Sequence, residues 1–286
     1  MKLRKKLNHL ATFPTDHLFT FIITFFLVLF LAVILVPMIW MGISSLKVTN
    51  EIFSNIWSLP SSWQWNNYAV AWDTGISRYF INSAVVTLGT VLLNLVACSL
   101  MAYTLTINDI KGKNFFTALA IMGILFSPIV SIFPLYREIQ LLQLYNKRLA
   151  LVLIYTAYQI PMSFMLIFAF FKNIDKAYLD AARIDGATDL QILYKVFIPL
   201  SASIFMVSVV LTSFYAWNEF TFALVFVKND LLKTIPIGLL AFQGEMYSEW
   251  GVLLAGLVIS AIPIIALYIF AQKYFIAGLT MGGVKG

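Results

Sequence analysis

Six long apolar stretches constrain this 286-residue chain more than any other feature. Each is long enough to cross a bilayer core of about 30 Å as a helix that rises ~1.5 Å per residue. The stretches are continuously apolar rather than alternating, and lipid offers the backbone no hydrogen-bond partner, which favours helices over a β-barrel. The sequence therefore predicts an all-α integral membrane protein with six transmembrane helices. The predicted spans are Leu18–Ile43, Tyr79–Thr106, Phe115–Tyr136, Ala150–Phe171, Leu200–Val227 and Trp250–Gln272.

The composition supports a lipid environment. Hydrophobic residues make up 61% of the chain and charged residues only 11%, too few to cover the surface of a soluble domain. The formal net charge is +6, but the charges lie in short runs between the apolar stretches. This pattern is typical of loops that meet anionic lipid headgroups. We therefore expect membrane lipid as a partner, and no nucleic acid.

Lys and Arg residues predict the orientation of the spans. Twelve of the 19 lie in four segments, namely residues 1–17, 107–114, 172–198 and 273–286. Because loops rich in Lys and Arg are retained on the inner side of a membrane, both termini are expected in the cytoplasm. The 137–149 loop, which contains three basic residues on the predicted outer side, runs against this rule. The sequence thus predicts a multi-pass protein of the cell membrane with both termini in the cytoplasm.

The spans divide the chain into five parts. They are a cytoplasmic N-terminus (1–17), a transmembrane helix (18–43), an extracytoplasmic segment (44–78), a five-helix core (79–272) with the cytoplasmic loop 172–198, and a cytoplasmic tail (273–286). The first apolar run is too long for the core of a signal peptide, which predicts a retained helix. The tryptophans of the 44–78 segment favour a cap at headgroup level, with a mobile linker as the alternative.

Prolines interrupt several of the spans. Pro128 and Pro134 lie in the third span, Pro161 in the fourth and Pro263 in the sixth. Each removes a backbone donor, and in lipid the freed carbonyl must find another partner. Two interpretations stay open: bends that shape a central cavity, and ordinary packing bends. The spacing of Pro128 and Pro134 predicts a third span that is bent twice.

Motifs for catalysis or nucleotide binding are missing from the sequence. It contains no G-x-x-x-x-G-K-[ST] phosphate loop, so we expect no ATP binding by this chain alone. His9 and His17 lie in the N-terminal segment without other ligand-type residues at useful spacing, and Cys98 lies in an apolar stretch. We assign no metal, no cofactor and no catalytic residue. An enzyme is not expected.

The 172–198 loop is the most polar stretch between the spans. Asp175 is expected to cap a short helix that runs to Asp185, in which small alanines allow close approach to a partner. Gly186 permits the turn that ends this helix, and a second helix is expected to start near Thr188. Pro199 is expected to open the fifth span, because proline fits the first turn of a helix. The loop is predicted to be a helix-turn-helix that docks onto another protein.

The same loop resembles a motif of a known family. Asp180-Ala181-Ala182, then Gly186, then Val196-x-Ile198-Pro199 resemble the loop E-A-A-x3-G-x9-I-x-L-P of binding-protein-dependent ABC importers. The glycine and proline spacings match, and Asp180, Val196 and Ile198 replace glutamate, isoleucine and leucine conservatively. The resemblance implies the ABC type-1 importer permease fold. It also implies that a separate ATPase contacts Asp180, Ala181, Ala182, Asp185, Gly186, Ala187, Thr188 and Pro199.

Further segments resemble the carbohydrate-uptake permeases of the MalG type. They are Asn82-Ser83, Ala102-Tyr103, Trp217-Asn218-Glu219-Phe220, Gln272–Phe275 and Gly278–Gly286. The resemblance implies three partners: a second, MalF-like permease, a homodimeric ABC ATPase and an extracytoplasmic sugar-binding protein. It further implies that the tail residues Gly282, Gly283, Val284 and Lys285 reach the ATPase.

The predicted function is that of a permease subunit in an ATP-driven sugar importer. The candidates for the substrate pathway are Tyr215, Trp217, Asn218 and Glu219, since an ionisable residue in a span is a functional candidate. Glu219 falls about 20 residues into the predicted fifth span, near its outer boundary, so contact with the rim or the partner permease is the alternative. An importer for another solute, such as glycerol phosphate, and a secondary transporter are the alternative functions.

The predicted topology can be tested with single cysteines. In a variant that lacks Cys98, cysteines at Asn114 and Lys176 should escape a membrane-impermeant thiol reagent in intact cells, because both positions are expected in the cytoplasm. They should react after the membrane is permeabilised. Labelling of either cysteine in intact cells would show that the orientation is inverted.

Overall fold

The computed structural model describes residues 15–108, 110–245 and 249–281, and these residues form helices and connecting segments without a β-strand. The helices are α1 (Thr15–Ser44), α2 (Thr49–Ser54), α3 (Asn66–Ala71), α4 (Ser77–Ile107), α5 (Lys113–Met122), α6 (Pro128–Leu141), α7 (Arg148–Phe171), α8 (Lys176–Ile184), α9 (Asp189–Ile192), α10 (Ile198–Leu200), α11 (Ala202–Asn218), α12 (Thr221–Phe226), α13 (Ile235–Glu245) and α14 (Trp250–Met281). The predicted all-α fold is confirmed.

Within the described ranges, four helical stretches are long and apolar enough to cross a membrane unbroken: α1, α3 together with α4, α7, and α14. Two further spans are bent pairs, α5 with α6 and the segment of α9 and α10 with α11. Counting each pair as one span gives the six that the sequence predicts. Helix α14 continues to Met281, so residues 273–281, predicted as tail, extend the sixth helix.

The third span is not one helix from Phe115 to Tyr136, as predicted. Helix α5 ends in a short 3-10 turn at Leu125, and α6 leaves it at an angle of 107°. Proline disfavours a helical conformation in the residue before it, and Ser127 accordingly adopts an extended backbone in front of Pro128. The second predicted break does not occur, because α6 continues through Pro134 to Leu141.

The fifth span also differs from the predicted helix Leu200–Val227. Pro199 does not open it: it lies in α10, which continues the preceding helical segment, and the chain then bends by 82° at Ser201. The spanning helix α11 ends at Asn218, and the extended Glu219 separates it from the short helix α12. The prediction treated residues 200–227 as one helix, whereas most of them form two helices, α11 and α12, with Glu219 and Phe220 between them.

The core of the bundle lies between α4, α7 and α11. Small and polar side chains of α4 are buried against the other two helices, among them Thr90 and Asn94. The hydroxyl of Thr156 on α7 donates to the carbonyl of Thr90 at 3.5 Å, and the hydroxyls of Ser163 and Thr212 lie 3.4 Å apart. Small residues at helix interfaces allow the close approach on which packing in lipid depends.

Helix α1 stands apart from this core. Its side chains from residue 19 to residue 39 are all exposed, and it contacts the rest of the chain mainly through α14. An apolar helix that is exposed on every side within one chain has its surface available for lipid or another subunit. In the segment that follows, Trp57, Trp63 and Trp65 are more than half exposed.

A close contact between α13 and α4 gives a test of this packing. A β-carbon at Gly238 would overlap the ring of the buried Tyr79, whereas one at Gly244 in the same helix has nothing within 4 Å. Gly238→Ala should therefore destabilise the protein by roughly 1–3 kcal/mol, the usual cost of overpacking. Gly244→Ala is the matched control and should be neutral or slightly stabilising. Thermal unfolding of both variants in the same detergent measures the difference, and equal midpoints would contradict the contact.

Candidate functional site at the 172–198 segment and the broken spans

The helix α8 begins and ends on specific side-chain and backbone interactions. The carboxylate of Asp175 accepts a hydrogen bond from the N–H of Ala177 at 2.9 Å, which confirms the predicted N-cap. At the other end, the N–H of Gly186 donates to the carbonyl of Arg183 and that of Ala187 to the carbonyl of Ala182, both at 3.0 Å. This pair of bonds forms a Schellman motif. The helix therefore has fixed boundaries.

Gly186 provides the left-handed residue that the Schellman motif requires. Its φ is +75°, and a β-carbon built at this position would meet no atom within 4 Å. A residue with a β-carbon is therefore disfavoured at position 186 because of the left-handed backbone conformation, and not because its side chain would clash. The turn depends on glycine for a conformational reason alone.

The second helix of the segment starts at the predicted residue. Thr188 and Gln191 form a reciprocal capping box: the N–H of Gln191 donates to the Thr188 hydroxyl at 3.4 Å, and the N–H of Thr188 donates to the Gln191 side chain at 2.9 Å. From here helical structure continues through a π-turn, Leu193–Phe197, into α10. Two short helices with one turn between them thus form the predicted helix-turn-helix.

The two sides of α8 differ in what they meet. Leu179, Ala182 and Ala187 pack against the bundle, whereas Ile184 is 87% exposed and Tyr178 is 54% exposed. Of the residues predicted to contact the ATPase, Ala182 and Ala187 are half-buried against this chain itself. The others are exposed, namely Asp180, Ala181, Asp185, Gly186, Thr188 and Pro199. The free side of the segment therefore carries apolar and acidic groups together.

An aromatic cluster attaches the segment to three spans. Phe197 is buried. The centre of its ring lies 5.2 Å from that of Tyr103 on α4 and 5.1 Å from that of Phe171 on α7. Phe171 in turn lies 6.2 Å from Phe205 on α11. Edge-to-face pairs of aromatic rings contribute roughly 0.5–1.5 kcal/mol each, so the cluster holds the segment on the spans.

Polar contacts add a second link between the segment and α4. The Tyr103 hydroxyl donates to the carboxylate of Asp189 at 3.3 Å, and the same oxygen lies 3.7 Å from the guanidinium of Arg183. Both members of the ion pair are about half exposed or more, so the pair itself contributes little. Sequence analysis noted Tyr103 only as part of a resemblance and did not assign it this contact.

The four candidates for the substrate pathway do not all lie together: Tyr215 and Glu219 both interact with Tyr155 on α7, whereas Trp217 faces another side. Trp217 is buried, donates from Nε1 to the carbonyl of Ser260 at 3.0 Å, and faces Phe80. Tyr215 instead contacts Tyr155 on α7 at 5.9 Å. Two positions apart on a helix means about 200° of rotation, so the two aromatic residues face opposite sides. Trp217 is a packing residue of the bundle.

Asn218 and Glu219 lie at the end of α11. The exposed Asn218 side chain donates back to the carbonyl of Phe214 in its own helix at 2.8 Å. The two carboxylate oxygens of Glu219 accept hydrogen bonds from the N–H groups of Phe222 and Ala223, at 2.8 and 3.1 Å. Glu219 therefore caps the start of α12, a role that an uninterrupted predicted helix did not allow.

Two breaks in the helices lie against the same region of α7: the first break, at Ser127 between α5 and α6, and the second break, at Glu219 between α11 and α12. At the first break, a β-carbon on Gly123 would lie 2.5 Å from Cγ of Pro161, so the chain approaches α7 closely there. One turn earlier on α7, the Tyr158 hydroxyl forms a hydrogen bond with the hydroxyl of Ser131, in α6. The ring of Tyr158 also lies 5.0 Å from that of Phe222, in α12.

The predicted tail residues Gly282, Gly283, Val284 and Lys285 lie outside the described residues.

Comparison with known proteins agrees with these features. The profile of the family described as "Binding-protein-dependent transport system inner membrane component" matches residues 11–280. The probable ABC transporter permease protein YurM of Bacillus subtilis is 45% identical over 261 residues, which are 91% of this chain and 87% of that protein. The arabinooligosaccharides transport system permease protein AraQ of Halalkalibacterium halodurans is 32% identical over 92% of this chain and 95% of its own.

A solved structure has the same fold. In the crystal structure of a bacterial ABC transporter involved in the import of the acidic polysaccharide alginate, one chain superposes with a TM-score of 0.81 at 24% identity. The match covers 92% of this chain and 99% of that one. The helical spans and the helix-turn-helix between them define a multi-pass membrane protein of the ABC importer permease fold. This chain belongs to the family of binding-protein-dependent transport system inner membrane components.

Proposed function

We propose that this chain is one of two permease subunits of an ATP-driven importer for a mono- or oligosaccharide. The observation that carries the proposal is the helix-turn-helix of α8 and α9, with fixed ends and an exposed apolar side at Tyr178 and Ile184. Relatives support the substrate class, since AraQ is described as a permease for arabinooligosaccharides. The remaining subunits are a second, MalF-like permease, a homodimeric ATPase and an extracytoplasmic sugar-binding protein.

The exposed side of α8 is the proposed contact with the ATPase. An apolar side chain as exposed as that of Ile184 gains stability when a partner covers it, and roughly 1.5–3 kcal/mol is the usual gain for full burial. Asp180 and Asp185 lie near it and would select a complementary, basic rim. Residues 172–198 are proposed to face the cytoplasm, where the ATPase works.

Movement of α8 would reach the spans through the contacts described above. When ATP-driven closure of the ATPase dimer displaces α8, the aromatic cluster around Phe197 carries the displacement to α4, α7 and α11. Because packed side chains transmit rigid-body motion, this subunit rocks against its partner and exposes the pathway alternately to each side. Transport is thereby coupled to a reaction that takes place on another subunit.

The two breaks are the proposed walls of the sugar pathway. Non-helical backbone at membrane depth is tolerated only where protein covers it or where it lines a water-filled cavity. At the first break the chain leaves Leu125 and Phe126 more than half exposed, and Ser127 is exposed as well. This favours the interpretation of Pro128 as a residue that shapes a cavity between the two permeases.

Substitutions at Gly186 test the coupling role. Gly186→Val forces a β-branched residue to a φ of +75°, at a cost of about 1–2 kcal/mol, and should lower both co-purification of the ATPase and sugar uptake by roughly tenfold. Gly186→Asn is the matched control, since asparagine tolerates the left-handed conformation, and it should retain most activity. Both variants should reach the membrane in normal amounts, because the spans are unchanged. Normal uptake by Gly186→Val would show that the segment is only a connector.

A further inference from the structure

Tyr158 lies between the start of α6 and the start of α12. It lies near the middle of α7, a helix that runs without interruption from Arg148 to Phe171. Its side chain touches two other elements, each within the first turn or so after a break: α6 through its hydroxyl and α12 through its ring. One side chain on the unbroken helix α7 thus contacts the two helices, α6 and α12, that begin directly after the breaks.

The contact with α6 reaches the break itself. The hydroxyl of Ser131 lies 2.9 Å from the carbonyl of Pro128 and 3.1 Å from that of Ser127, and it donates to these carbonyls. The Tyr158 hydroxyl is then the donor to the Ser131 oxygen. The result is a chain of hydrogen bonds that runs from α7 to the backbone of the residue at which the third span bends. Helix α7 thus provides a polar contact to the first turn of α6.

The contact with α12 reaches the second break in a comparable way. Phe222 is fully buried, and its N–H is one of the two that Glu219 caps. Its ring lies 5.0 Å from that of Tyr158 at an interplanar angle of 39°, close enough for direct packing. A displacement of the first turn of α12 therefore presses on Tyr158, and a displacement of Tyr158 presses on α12.

We propose that Tyr158 is a positioning residue that makes the two breaks rearrange together during transport. This inference rests on the proposed function, because it concerns the order of events within the transport cycle. When both breaks move as one, the pathway opens only in the state in which the sugar has been delivered. When they move independently, ATP is hydrolysed in states that carry no sugar. Loss of the link therefore lowers the number of sugars imported per ATP hydrolysed.

The test uses the complete complex, purified through a tag on this chain and reconstituted into vesicles. Tyr158→Phe removes the hydroxyl and keeps the ring on Phe222. Because one hydrogen bond is lost, sugars imported per ATP should fall about fivefold, and ATP hydrolysis in the absence of the binding protein should rise by a similar factor. Ser131→Ala removes the other partner, so the double variant should be no worse than either single variant.

Tyr136→Phe is the matched control. Tyr136 also lies on α6 and its ring also faces α12, 6.2 Å from that of Phe226, but its hydroxyl makes no hydrogen bond among the described residues. This variant should keep the sugar-to-ATP ratio of the unmodified complex. The ratio does not depend on how much protein folds, so a merely structural role for Tyr158 would lower uptake and hydrolysis in parallel and leave the ratio unchanged.

The outcomes separate this inference from the function on which it rests. If the unmodified complex imports sugar with ATP but Tyr158→Phe keeps the normal ratio, the link between the breaks is refuted and the proposed function stands. If the unmodified complex shows no ATP-dependent uptake of any sugar, the proposed function fails first. Additive effects of Tyr158→Phe and Ser131→Ala would contradict the shared hydrogen bond.

Discussion

Backbone hydrogen bonding in lipid is the constraint on which this structure depends. A span that is helical throughout satisfies its own N–H and C=O groups, so each interruption needs partners from elsewhere. At the second break the carboxylate of Glu219 accepts from two backbone N–H groups at the start of α12, which have no partner within that helix. At the start of α6 the Ser131 hydroxyl donates back to the carbonyls of Ser127 and Pro128 and is also hydrogen-bonded to Tyr158 of α7. Side chains thus satisfy the backbone at one break and tie the other to α7.

The 172–198 segment shows how a polar stretch between two spans is given fixed ends. The N-cap at Asp175, the Schellman motif at Gly186 and the capping box at Thr188 fix the ends of both short helices. Phe197 then joins the segment to the spans by burial of its ring. A segment with defined ends and a buried attachment moves as a body, which is what the transmission of force from another subunit requires.

The sequence was sufficient for features that depend on local chemistry and long apolar runs. It predicted the all-α fold, a number of spans that is matched when each bent pair counts as one, and the caps at Asp175, Gly186 and Thr188, because each follows from neighbouring residues. It did not predict the end of α11 at Asn218, since the two polar residues Asn218 and Glu219 are followed at once by another apolar stretch. Nor did it show that Trp217 packs against Phe80 while Tyr215 faces α7, or reveal the contacts of Tyr158, because these depend on which neighbours the folded chain brings near.

Transport by a reconstituted complex is the measurement that tests the central claim most directly. The complex, purified through a tag on this chain, would be placed in vesicles and supplied with radiolabelled mono- and oligosaccharides. The account predicts that uptake requires both ATP on the side of the ATPase and the sugar-binding protein on the other side, and that omission of either abolishes it. Uptake by this chain alone, driven by an ion gradient without ATP, would contradict the account and identify a secondary transporter.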